Sequence, residues 1–591
     1  MKKNLFTIML LLAAVLSSRA ADGPDIIASI LFLTGESDIE SVPENEIEHY
    51  FSLAENPLRI NCLTRSKLMS SGLFSMYQVA SLIDYRTRNG DILSISELAD
   101  VDGFGMETVE ALSPFISLES YSLPGQSSER KADVRNSLIL NGISKLSFPF
   151  DGSRLRYSWA YSGKYRMFSD SHFDGGVSFK RYNVDRSVTP TSYTIYAAYY
   201  GQRHLETFVA GDLSLRFGQG LALWTGFSVG GISGERSFWK RPSGVSPSGS
   251  YSASSSMRGV ATALSFGRFG ISMFAVMPGL RAWCESGTPF SNVCMPGINV
   301  SWYSKYGQIG LTSYCNTDHS EGKTSVDARF CIGGNELFGE AAIDMLSLKV
   351  AGIVGMSARI SDKLKTAWTC RYIPVNYSSW NISPVRMFSG KKGECGFSAG
   401  LFFKQLTLTA DMAFREVWEE RQMKMIVSYP WTLLPSVILS MRLQESLRSY
   451  GNRNRTDFRA DLRWNSSSWQ TIVRTNILAT DVLSWLAYVE EGYSGRIGAV
   501  FLRGTLFRAD SWDNRIYCYE RDAPGNFNVP AYYGRGYSVS IAARMRLQGH
   551  GMKTWKMYLR AAFTDTPWQS PGQKTPKPAK AELKVQVMYC F

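Results

Sequence analysis

Hydrophobic and polar residues alternate with a period of two along most of the chain, and Ala579–Phe591 shows it most clearly. Ala581, Leu583, Val585, Val587, Tyr589 and Phe591 share one face, and Lys580, Glu582, Lys584 and Gln586 the other, followed by Met588 and Cys590. That period belongs to a strand. It recurs in Ser153–Lys164, Tyr193–Gly201, Gly259–Phe269, Thr324–Ile332, Cys395–Lys404, Val437–Leu447 and Tyr537–Leu547. Within 437–448, Leu439, Met441 and Leu443 alternate with Ser440, Arg442 and Gln444; in the next segment Phe458, Ala460, Leu462 and Trp464 alternate with Arg459, Asp461 and Arg463. The spacing predicts an even number of antiparallel strands, about 16 to 24. If the apolar set meets lipid, the arginines face a lumen, where internal pairing with Asp and Glu is the expected arrangement.

The pattern changes at both ends of the alternating region. Near the start, Lys2 and Lys3 precede an apolar run from Leu5 to Leu16, and Ser18-Arg19-Ala20 supplies small residues for cleavage. This predicts a secretory signal over 1–20, too short for a transmembrane helix. The segment 21–55 reads as helical, a solvated acidic helix pair that packs on the next domain. Residues 56–118 then show helical punctuation. Thr64 and Ser75 are N-caps, Asn89-Gly90 is a stop, and Ser94-Ile95-Ser96-Glu97 is a capping box. Residues 119–135 read as a polar linker and 136–591 as the barrel. The fold class expected is therefore α+β multi-domain, a small all-α head followed by a large antiparallel transmembrane barrel. The closing alternation, ending on Phe591 with Tyr589 two places earlier, resembles the last strand of bacterial outer-membrane barrels, which implies outer-membrane lipid and the barrel-insertion machinery as partners.

Charge divides the chain in the same place. Residues 22–119 carry 17 acidic and five basic side chains, and residues 120–591 carry about +22. An acidic head is joined to a basic body. The nine cysteines are scattered, with only Cys284 and Cys294 near enough for a local disulfide. No CxxC pair or Cys/His cluster of metal-ligand spacing is present, and no cofactor is expected. The histidines (His49, His172, His204, His319 and His550) are isolated, and neither a GxSxG elbow nor a phosphate loop occurs, so an enzyme is not expected.

Two kinds of motif carry candidate chemistry. In the head, Ile60–Thr64, Ile83–Arg86 and Val101-Asp102-Gly103-Phe104-Gly105 resemble the paired helix-hairpin-helix module of competence DNA receptors of the ComEA type. The first hairpin, Ser71–Ser75, keeps Gly72 but lacks the second glycine. The resemblance implies sequence-independent phosphate binding by backbone amides at Gly103, Phe104 and Gly105, with Gly72 in the first hairpin. Arg59, Arg65, Lys67, Arg86 and Arg88 form the candidate basic patch. Asp100, Asp102, Glu107 and Glu110 surround the hairpin and oppose a phosphate. In the body, Gly211, Gly218, Gln219 and Gly220 interrupt the alternation and predict a bulge or a close backbone contact inside the barrel. Val229–Ser256 follows as a long loop, outside or folded inward, and Asn526–Gly536 is a second interruption.

Head and body together resemble outer-membrane barrels that carry an N-terminal helix-hairpin-helix. The function expected is passage or docking of an extended anionic polymer, DNA by resemblance, with the head in the periplasm. The alternative is a structural or assembly component of the outer membrane whose head docks a periplasmic protein.

Overall fold

The computed structural model describes residues 26–591 apart from short stretches, of which 127–133, 182–188, 281–292 and 569–577 are the longest. The signal segment, Cys284 and His550 lie outside the described residues. Among the described residues, 24 antiparallel strands close into one barrel. Closure sets Val134–Phe148 beside Ala579–Cys590, with Ser137 opposite Cys590 and Phe148 opposite Ala579. Phe591 completes the seam, its N–H and C=O bonding Asn136 at 3.0 and 2.8 Å.

The chemistry of the two faces fixes the register. Leu583 and Val585 point outward and are exposed, while Lys584 and Gln586 point inward and are buried. Phe458, Leu462 and Trp464 likewise face out, and Arg459 and Asp461 face in. A slip of one residue would exchange the two sets, so the register is strongly specified. A closed ladder also leaves no unpaired edge in lipid. No helix of the described residues is long and apolar enough to cross a membrane. The chain is a β-barrel of the outer-membrane type, mostly β, with a few helices before it.

The barrel has two unlike ends. Turns such as those between Phe266 and Phe269, Ser304 and Gly307, and Phe403 and Leu406 are tight. The connections 217–256, 374–393 and 510–533 at the opposite end are long.

Among the described residues, six α-helices precede the barrel: α1 (Ile26–Thr34), α2 (Glu44–Glu55), α3 (Arg65–Ser70), α4 (Met76–Asn89), α5 (Ile95–Asp100) and α6 (Met106–Leu112). Their starts follow from local sequence. Thr64 accepts from Lys67 N, and Ser75 with Gln78 forms a reciprocal capping box. Gly90, at φ +86°, closes α4. At α5, Ser94 caps Glu97 N, but the Glu97 carboxylate turns to Leu93 N at 2.8 Å and to the Tyr85 hydroxyl rather than to Ser94. Ile60, Leu68, Val79, Leu82, Leu98, Val109 and Phe115 form one core, which α1 and α2 join through Ile30, Leu33, Ile47 and Leu53. A two-residue parallel bridge, Leu58–Arg59 with Ile116–Ser117, ties the ends of the module.

The head sits at the tight-turn end and reaches into the lumen. Ser66 donates to Glu206 O, Lys67 to Ser169 O, and Arg65 lies over the Tyr303 ring. The helix pair packs on the next domain as expected, but its acids are not all solvated: Asp38 and Glu48 are buried, because the lumen supplies the opposite charges.

Candidate functional site in the barrel lumen

The site begins with acids on α1, α2 and the turn between them. Asp38 accepts from Arg442 and from Arg459, the latter at 2.7 Å. Glu40 accepts from Arg474 at 3.0 Å, from Arg459 at 3.3 Å and from the Tyr519 amide at 2.8 Å. Glu48 pairs with Lys164 at 3.2 Å, and Glu55 pairs with Lys556 and accepts from the Tyr558 hydroxyl at 2.8 Å. Arg442, Arg459 and Arg474 come from three adjacent strands of the wall, and Lys164 and Lys556 from another part of it. Burial alone would push the Asp38 carboxyl upward, but Arg459, Arg442 and Arg474 together hold it well below the usual carboxylate range. At Glu36 burial prevails over the hydrogen bond from Ser233 and raises the carboxyl to about 7.

The described parts of two long connections also fold inward. The first, 217–256, is anchored by Glu340 on the wall strand Asn335–Asp344. Its carboxylate accepts from the amides of Gln219 (2.6 Å), Leu221 (3.0 Å) and Ala222 (3.2 Å). Gly218 (φ +57°) and Gly220 (φ +84°) shape that turn. A side chain on Gly218 would meet the Glu340 carboxylate, and one on Gly220 would meet Ser383 O. Gln219 accepts from Lys240 N and so joins both limbs of the loop. Beyond it, Arg236 lies over Phe32 of α1 and reaches Thr108 of α6. At Gly211 (φ +100°) a side chain would collide with Ile195 O, and the neighbouring Asp212 takes Ile195 N and Arg258 at 2.9 and 2.8 Å. The second connection, 510–533, places Glu520 against Arg560 and Tyr532, and Asp522 against Lys584 at 2.5 Å.

The candidate nucleic-acid residues do not form one patch. Arg65 and Lys67 face the barrel wall. Arg59 pairs with Glu119 at 2.8 Å, Arg86 donates to the carbonyls of Leu63 and Asn61, and exposed Arg88 pairs with Asp84 at 3.0 Å. Gly103 and Gly105 sit at φ +86° and +76° in an exposed turn, with Phe104 buried between them against Phe74. Gly72 occupies the turn after α3 at φ +69°. Sequence reasoning missed the luminal acids Asp38, Glu40, Glu48 and Glu55. The one signal that pointed to them was the opposite net charge of head and body. Of the described histidines, His49, His172 and His204 contact backbone carbonyls, and His319 lies 3.7 Å from the Cys315 sulfur.

Between the head and the wall remains a cavity of about 310 Å³. It is lined by α2, the strands from Lys164 to Arg216, and the inward loop around Lys240.

No protein-family model matches the chain, and no curated protein matches it. Solved structures of similar shape include Pseudomonas aeruginosa OpdO, with TM-score 0.32 and 10% identity over 78% of this chain and 97% of that one. OccK7 (OpdD) of the same organism gives 0.30 and 8% over 78% and 99%. OccK2 (OpdF) in complex with glucuronate gives 0.30 and 11% over 78% and 98%. Likeness at this level carries no argument about cargo.

Proposed function

We propose that the chain is an outer-membrane channel closed by its own N-terminal head, which an extended anionic substrate displaces. The observation that carries this reading is the set of carboxylates on the head, from Asp38 to Glu55, held by Arg442, Arg459, Arg474, Lys164 and Lys556 of the wall. A basic inner wall attracts polyanions, and the acidic segment occupies it as a resident substitute. In bacterial barrels the short turns lie on the periplasmic side. The tight-turn end that receives the head is therefore the periplasmic end.

Residues 56–118 are read as a paired helix-hairpin-helix used as a stopper. A nucleic-acid role for this module needs the head withdrawn, since Arg65 and Lys67 are otherwise engaged with the barrel. The alternative, docking of a periplasmic protein, is favoured by one feature, the exposed Leu93, Ile95 and Met106 beside exposed Asp102 and Glu107.

The test is dye release from liposomes holding the full chain. Polyphosphate and single-stranded DNA are expected to increase release at low salt, with the effect lost near 1 M salt, where the Debye length falls to about 3 Å. Polylysine is expected to do nothing. Release that no polyanion changes would refute the displacement reading.

A further inference from the structure

The cavity behind the seated head has a chemistry that head docking does not explain. Seven lysine and arginine side chains line it against four carboxylates, Glu36, Glu46, Glu48 and Asp174. Two of these acids are committed, Glu48 to Lys164 and Ser250, and Asp174 to Arg166 through two bonds of 3.0 and 2.6 Å. Glu36 is taken by Ser233. Among the described residues, Arg216, Arg236, Lys240 and Arg241 have no carboxylate at ion-pair distance. Arg216 and Lys240 donate to the carbonyls of Thr225 and Ser383 and flank the Trp224 ring at 5.6 and 4.5 Å.

Two buried polar atoms of the lining lack partners, and both are donors. Trp239 is 7% exposed, yet its indole N–H meets no acceptor, and Arg236 Nη1 is also unbonded. Unpaired buried donors are rare, because each forfeits the free energy of its lost hydration. Burial also draws the Lys240 ammonium down to about 7, opposed by Glu46 and assisted by Arg216. Concentrated like charge in an enclosed space is relieved by a counter-charge that accepts hydrogen bonds and donates none. An oxyanion has that character. The serines Ser243, Ser246 and Ser248 add hydroxyls on the same lining. The volume lies at the lower end of the range of small-molecule sites, about 300–1,000 Å³.

We propose that this cavity is a binding site for a small anionic sugar, its phosphate or carboxylate held by Arg216, Lys240, Arg241 and the Trp239 indole and its hydroxyls by the serines. The site needs the head seated, because His49 and Tyr50 of α2 form one wall. It does not need the head to move, so a barrel that never opens would leave this binding intact.

The test is isothermal titration of the full chain in detergent at low salt, with glucose 6-phosphate, glucuronate, glucose and inorganic phosphate as probes. At least one anionic sugar is expected to bind saturably, and glucose not at all. Lys240→Met/Arg241→Met is expected to weaken that binding by at least about tenfold, since it removes two charge-assisted contacts. Trp239→Phe, which keeps an aromatic ring and the Lys240 and Arg241 charges but loses the pyrrole half of the indole with its N–H, is expected to weaken it by a smaller factor and is a second variant should the double one misfold. Phosphate binding as tightly as glucose 6-phosphate would overturn the sugar part. No binding of either anionic sugar by the native chain, or equal affinity in all three proteins, would overturn the site.

Discussion

Neutralising Asp38 and Glu40 together (D38N/E40Q) is expected to turn a closed barrel into a leaking one. Asp38 is 6% exposed and shared by Arg442 and Arg459, and Glu40 joins Arg459 to Arg474. Removing one side of a buried ion pair costs about 3–5 kcal/mol, chiefly because the other charge stays buried and unpaired. At 1.4 kcal/mol per factor of ten, the unseated fraction rises roughly a hundredfold or more. Planar-bilayer conductance at neutral pH measures it. Open events are expected in the double variant and not in the native chain, while Glu107→Gln, an exposed position on the same head, is expected to be silent. The pH dependence has a definite sign. The Asp38 carboxyl lies below its ordinary value of 3.8 in the seated head, so its contribution is complete above that value and is lost as pH falls through the lower one. Glu36 acts in the opposite sense: its carboxyl is raised to about 7 in the seated head, so seating strengthens as pH falls from there toward the ordinary 4.5, and opening through Asp38 is expected only below 3.8. Conductance of D38N/E40Q indistinguishable from native would remove the acid–arginine contacts from the seal.

Replacing Gly218 and Gly220 with valine is expected to release the inward loop 217–256 while the barrel persists. Both glycines have positive φ, which a β-branched residue adopts only with strain. At Gly218 the new side chain would also begin about 2.7 Å from the Glu340 carboxylate. The three amide bonds to Glu340 then cannot all form. Hydrogen bonds to a charged group contribute about 1.5–3 kcal/mol each, so losing two of them outweighs most single substitutions. Limited proteolysis reads the outcome. New cleavage is expected within 217–256, with heat-modifiable mobility of the barrel retained, and Glu340→Ala is expected to give the same fragments. Unchanged fragments in both variants would show that the turn holds without Glu340.

The parts of this architecture that were legible in the sequence are those set by one environment at a time. Leu583 and Lys584 alternate because lipid lies on one side of the strand and the lumen on the other, and the same contrast marked Arg442 and Arg459 as inward. Thr64 and Ser75 were readable as caps because the groups they satisfy lie three residues away. What could not be read depends on pairing across the chain. Asp38 and Arg442 are separated by 404 positions. A net charge shows that acids and bases are apportioned unequally, but not that they meet. For that reason the sequence predicts solvated acids in the α1–α2 segment where the lumen takes them in. Arg65 and Lys67 looked like a phosphate patch because nothing local reveals that a barrel wall faces them. The glycines around Gln219 announced a place without room for side chains, while Glu340, the group that fills that place, lies about 120 residues further on.

Charge exchange across Glu55 and Lys556 is the most direct test of a head seated in the lumen. The two side chains pair from helix α2 to the strand Thr554–Trp568, and they lie 501 positions apart in the chain. Bilayer conductance is measured for E55K, K556E and the combined variant. Each single change places like charges against each other and is expected to leak. The combined variant restores an opposite-charge pair and is expected to close again to near the native level. Silent single variants, or a combined variant that leaks as much as the two single changes together, would contradict a seated head.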